Sequence, residues 1–133
     1  VKYQIRSGTD GILLLGTTGE APTIEWAERE KCIQLVHTLS EGQIPLMVGV
    51  GSNSTKQSIE FSLQAEHLGA SCLLIQNPYY NKPTQEGIYQ HIKSVHDASS
   101  LPIVLYNVPS RTGYDLTNDL IQKLSEIFCH PFR

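Results

Sequence analysis

Long hydrophobic runs are missing from this 133-residue chain, and its longest apolar stretches fall far short of the roughly 20 residues that a membrane-crossing helix needs. No charged-then-apolar leader opens it, so a cytoplasmic protein is expected. Cysteine is scarce and odd in number. Cys32, Cys72 and Cys129 share no C-x-x-C spacing, and two of them fall inside apolar stretches, as buried thiols in a reducing compartment would. No disulfide is expected. Clustered positive charge is also absent: the formal net charge is -3 and no run of lysines or arginines occurs. Nucleic acid and anionic membrane are therefore excluded as partners. The five histidines lie without metal-ligand spacing and read as exposed or satisfied polar residues, so neither a metal nor a bound cofactor is inferred.

What is present suits one soluble globular unit, with 40% hydrophobic and 17% charged residues. One pattern recurs: a short apolar run, a turn rich in glycine, proline or asparagine, then a longer amphipathic segment. The runs are GILLL at 11–15, PLMVGV at 45–50, ASCLLIQ at 70–76 and PIVLY at 102–106. Such unbroken strings are expected of buried parallel strands. Helices are predicted at about 23–39, 54–68, 84–98 and 117–127. Thr23 and Thr117 can cap, Ser54 with Gln57 makes a capping box, and Thr84 opens a turn carrying Glu86. VKYQIRSG, which opens the chain on Val1 without a methionine, reads as the tail of a further helix, and the chain as a piece of a longer one. The repeat is about one βα unit long. Alternating units build either an open doubly wound sheet or part of a closed barrel, and a full (β/α)8 barrel takes about 250 residues. In both, chemistry gathers just beyond the C-terminal ends of the strands.

The unusual residues fall there. GTTGEAPT at 16–23 places Gly16 and Gly19 where backbone amides can converge before a helix start, with Thr17 and Thr18 adding hydroxyls and Glu20 able to order the loop. A carboxylate or phosphate would suit that place, although the same residues also make a plain glycine turn with a capping threonine. GVGSNS at 49–54 reads as a turn. NPYYNKP at 77–83 carries two consecutive tyrosines that cannot both enter a core, so one phenol faces solvent, a site or a subunit contact. YNVPSRTG at 106–113 ends a strand at Tyr106 and presents Arg111 across a proline turn. Arginine suits a forked grip on a carboxylate, the plainer alternative being a surface salt bridge.

In order and spacing, GTTGEAPT, NPYYNKPTQEG and YNVPSRTG resemble the motifs of the 4-hydroxy-tetrahydrodipicolinate synthase family of pyruvate-dependent class I aldolases, from about Val1 to Ile127. The resemblance implies a partial (β/α)8 TIM barrel, one unit over residues 1–133 with residues 128–133 departing from the family, and a homo-oligomer in full-length members. It implies condensation of pyruvate with aspartate semialdehyde in lysine biosynthesis. Thr17, Tyr80 and Tyr106 match the family's proton relay, with Tyr80 given by a neighbouring subunit; Thr18 matches the residue that holds pyruvate's carboxylate, and Arg111 the grip on the semialdehyde's carboxylate. N-acetylneuraminate lyases and keto-deoxy-sugar aldolases are sister possibilities, but the lyases carry GSTGE in place of GTTGE and lack the arginine of PSRTG. Trp26 stands where a histidine is often seen in members inhibited by lysine, which implies weak or absent inhibition.

The family's imine-forming lysine lies in a KEATG-like stretch that this sequence does not contain. Five of its lysines, Lys2, Lys31, Lys56, Lys93 and Lys123, fall on predicted helices, and Lys82 in the tyrosine loop matches no family nucleophile. The expectation is therefore that these 133 residues alone are inactive. A carboxylate-binding module or a non-catalytic remnant is the alternative.

Overall fold

The structure, a computed structural model, describes residues 1–128. After a short helix α1 (Lys2–Arg6), strands alternate with helices: β1 (Ile12–Leu14), α2 (Trp26–Ser40), β2 (Leu46–Gly49), α3 (Thr55–His67), β3 (Cys72–Gln76), α4 (Gln85–Ala98), β4 (Ile103–Tyr106), the single-turn α5 (Pro109–Thr112) and α6 (Asn118–Phe128). The four strands form one parallel sheet in chain order. Each strand falls inside its apolar run. Of the segment 128–133 expected to depart from the family, Phe128 ends α6, and residues 129–133, Cys129 and His130 among them, lie outside the described residues.

Register decides what each face carries. Leu13 pairs with Met47 and Met47 with Cys72, while Leu74 pairs with Val104 and Gln76 with Tyr106. Because side chains alternate along a strand, these residues share one face and Leu46, Val48, Leu73 and Ile75 share the other. The second set is buried against the helices, where Ile33, Val36 and Ala65 close one cluster and Ile88, Ile92, Val95, Leu120 and Leu124 another. Burying each such aliphatic side chain is worth about 1.5–3 kcal/mol. The first face has no helix over it: Leu13 is 48% and Val104 40% exposed. Where β1 and β2 converge, Gly49 is obligatory, because a Cβ there would lie 2.0 Å from the Leu15 carbonyl oxygen.

The helix starts refine the sequence reading. α2 begins three residues late, because Pro22 sits in a one-turn 3-10 segment, Ala21–Thr23, and Ile24 and Glu25 are extended. Glu25 and Glu28 form the reciprocal capping box, while the Thr23 hydroxyl instead donates to the Glu20 carbonyl at 2.9 Å. Thr84 and Thr117 cap as expected, accepting from the amides of Gly87 and Leu120. Ser54 accepts from the Gln57 amide, but the Gln57 carboxamide is engaged by the Ser52 hydroxyl, so only half of that capping box forms.

The expectation of buried thiols is overturned for Cys32, which is exposed, and Cys72 is only half-buried. On α2 the inward positions are Arg29, Ile33, Val36 and Ser40, and Cys32 lies off that stripe. His91 also departs from the reading of satisfied or exposed histidines. It is buried on α4 with one ring nitrogen, Nδ1, 2.8 Å from the Thr55 hydroxyl, and its Nε2 has no partner. Burial lowers its pKa to about 4.

Candidate active site at the strand ends

Beyond β1 the backbone is forced into an unusual path. Leu15 has φ +55°, left-handed space that a leucine rarely occupies, and Glu20 has φ +53°. Between them Thr17–Gly19 makes one 3-10 turn. The amides of Gly19 and Glu20 are spent inside it, on the carbonyls of Gly16 and Thr17 at 3.0 and 3.1 Å. The start of α2 is occupied as well, by its own capping glutamates. The anion nest expected from the glycines is thus partly filled by the protein itself. What the loop does deliver is Thr17, half-buried on a cavity wall.

That cavity, about 280 Å³, opens at the C-terminal end of the sheet. Thr17, Tyr106 and Arg111 all line it, with Gln76, Tyr79 and Thr112 completing the polar wall. Arg111 is carried by α5, which Pro109 opens at its first position and Gly113 ends at φ +71°. Its exposed guanidinium pairs with no carboxylate among the described residues, so the surface salt bridge considered as its plainer role does not form. Five donors in a planar fork remain for a ligand.

Two expected site residues stand off the wall. Thr18, next to Thr17, is exposed and does not line the cavity. Tyr80 is 88% exposed with φ +69°, and of the paired tyrosines it is Tyr79 that lines the cavity. No lysine lines the cavity; Lys82, at φ +45°, lies with its Cε 3.1 Å from where a Gly113 Cβ would be. Trp26 stacks on Phe61 with ring centroids 5.6 Å apart.

Side-chain amides lace the rim together. Asn81 Nδ2 donates to the Asn53 carbonyl at 2.8 Å, Asn77 Nδ2 to the Tyr114 carbonyl at 2.9 Å, and Gln85 Nε2 to the Asp115 carbonyl at 2.8 Å. The first two span successive loops and the third ties the start of α4 to the loop after β4, so the loops after β2, β3 and β4 hold one another in place. Behind the site Arg29 is buried without a carboxylate: Nη2 donates to the Gly49 carbonyl at 2.7 Å and the guanidinium lies 3.8 Å from the Phe61 ring centroid. Desolvation lowers its pKa to about 10. Among the described residues no three His, Cys, Asp or Glu side chains gather as a metal ion requires.

Sequence reasoning missed Gln76, Tyr79 and the lacing amides. Gln76 closes an apolar run, and its inward aim follows only from the pairing with Tyr106.

Residues 1–129 match the family described as the dihydrodipicolinate synthetase family. The 4-hydroxy-tetrahydrodipicolinate synthase of Bradyrhizobium diazoefficiens is 45% identical over 127 residues, covering 96% of this chain and 43% of that one. Among solved structures, the dihydrodipicolinate synthase of Thermotoga maritima superposes with a TM-score of 0.93 at 43% identity, over 96% of this chain and 43% of its own. A chloride-inhibited dihydrodipicolinate synthase of Acinetobacter baumannii, described as complexed with pyruvate, gives 0.92 at 46% identity, over 94% of this chain and 43% of its own. The chain thus spans less than half the length of the relatives it matches. None of its described helices is long and apolar enough to cross a membrane.

Proposed function

The chain belongs to the dihydrodipicolinate synthetase family, and from that premise we propose that its cavity is the carboxylate-binding and proton-relaying part of a synthase that condenses pyruvate with aspartate semialdehyde in lysine biosynthesis. Its four parallel strands are part of a TIM barrel. The observation that carries the reading is the meeting of Thr17, Tyr106 and the unpaired Arg111 on one cavity wall, although they are separated by up to 94 residues in sequence, from 17 to 111.

In this reading the Tyr106 phenol passes protons to and from the reacting carbons, with the Thr17 hydroxyl next in line. Arg111 grips the semialdehyde's carboxylate in a fork. Thr18, beside the wall, holds pyruvate's carboxylate, and Tyr80, exposed on its own subunit, completes the relay in a neighbouring subunit of a homo-oligomer. Residues 1–133 act as one partial barrel unit in the cytoplasm. A lysine must form the imine that activates pyruvate. No cavity residue can, so the 133 residues alone turn over nothing.

Fusing this chain to the remaining part of the Bradyrhizobium diazoefficiens relative tests the reading. Condensing activity should appear in the fusion and fall by at least about 100-fold in Tyr106→Phe. Activity indifferent to that substitution, or turnover by the 133 residues on their own, would refute it.

A further inference from the structure

Arg29 is a charged side chain that none of these roles uses, and it is 2% exposed with no carboxylate beside it among the described residues. A charge held this way is costly, and an aliphatic side chain would fill the same place without that cost. What the arginine supplies is a donor. In the parallel ladder between β1 and β2 the Ile12 amide donates to the Pro45 carbonyl at 3.1 Å, and the two-residue step of the register leads on to the carbonyls of Met47 and then Gly49. The left-handed turn at Leu15 stops the ladder short, and no bond runs from the Gly16 amide to Gly49. Arg29 Nη2 takes the vacated acceptor at 2.7 Å, its guanidinium resting on the Phe61 ring. Left alone, that buried carbonyl would draw the Gly16 amide back, since the Gly16 nitrogen is only 3.3 Å from where a Gly49 Cβ would be.

We propose that Arg29 is a positioning residue for Thr17: by satisfying the carbonyl that β1 gives up, it lets the chain turn out of the strand at Leu15 and sets Thr17, two residues on, against the cavity. The proposal rests on the reading of Thr17 as a member of the proton relay. Arg29 does not itself line the cavity, so it touches no ligand and acts through the backbone. Without it the Gly16 amide rejoins the ladder, the strand runs on by one step, and Thr17 leaves its place on the wall.

In the fusion with the Bradyrhizobium diazoefficiens relative, a double-mutant cycle crosses Arg29→Met, which keeps the length and removes the donor, with Thr17→Val, which keeps the shape and removes the hydroxyl. Arg29→Met should lower kcat about 10- to 100-fold and leave KM within about twofold, as displacement of a relay group would. In Thr17→Val, itself slowed at least about tenfold, the same change should cost less than about twofold further. An equal loss in both backgrounds overturns the role of Arg29 and leaves the relay standing. Thr17→Val as fast as its parent overturns the relay and the proposal with it. In the 133-residue chain the Gly16 amide should exchange with solvent at least about tenfold more slowly in Arg29→Met than in wild type, and unchanged exchange contradicts the proposal whatever the fusion does. Should Arg29→Met not fold, Arg29→Lys, whose ammonium is shorter and lacks the fork, is read by the same two measures. Coupling to Thr17 and slowed Gly16 exchange are again expected, and the absence of either contradicts the proposal.

Discussion

The two faces of the sheet are built from the same kinds of residue and meet different fates. Val48 and Leu73 lie under helices and are inaccessible to solvent, whereas Leu13 and Val104, one position away on their strands, stand open. Hydrophobicity does not separate these sets. What separates them is parity along the strand together with which side the amphipathic helices pack against. The covered face holds the molecule together, and the open face, at its C-terminal end, gives way to Gln76, Tyr106 and the cavity. The side that stabilises and the side that leads to the cavity are thus divided by a one-residue step.

Substitutions across that divide should give the largest contrast. Val48→Asp puts an unpaired charge under α2 and α3 and should cost more than about 4 kcal/mol, leaving no cooperative transition in urea. Leu13→Asp or Val104→Asp should shift the midpoint by less than about 0.5 kcal/mol. Equal collapse from both would mean that the open face is covered in solution.

Protonation probes the covered side next. His91 is held neutral in the fold, with its pKa lowered by burial to about 4 against an ordinary 6.5. Between those values the unfolded chain binds the extra proton, so stability is fully present above pH 6.5 and declines as pH falls toward 4, by on the order of 3 kcal/mol in all. Urea midpoints at pH 7 and 5 measure this, and His91→Gln should flatten the difference.

Smaller effects come from the rim and the far end. Asn77→Ala removes a buried donor to the Tyr114 carbonyl and should cost about 1–2 kcal/mol, loosening the loops that carry Tyr79 and Arg111. Hydrogen exchange at Tyr114 would report it. At the opposite end, Glu66 accepts from Ser100 and Ser99, which hold its carboxyl below the usual range. Glu66→Ala should cost about 0.5 kcal/mol, measured by thermal melting.

Much of the layout was legible in the sequence because strands that carry apolar residues on both faces read as unbroken apolar runs, and all four were found within about two residues. The turns chemistry was readable where one residue decides it, as at Thr84 and Thr117. It failed where neighbours compete: Pro22 delays α2 past Thr23, and Ser52 takes the carboxamide that Ser54 was expected to share. Thr17, Tyr106 and Arg111 were visible as polar residues at strand ends. Gln76 and Tyr79 were not, because their aim depends on register and on a backbone bent into left-handed space at Tyr80 and Lys82, neither of which local sequence encodes.

The most direct test of a shared carboxylate site is an aspartate semialdehyde titration of the chain followed by backbone amide shifts. Thr17, Tyr106 and Arg111 should move together along a single saturation curve that Arg111→Leu abolishes. Shifts that gather instead around the α1 end of the sheet, or that persist unchanged in Arg111→Leu, would contradict the account.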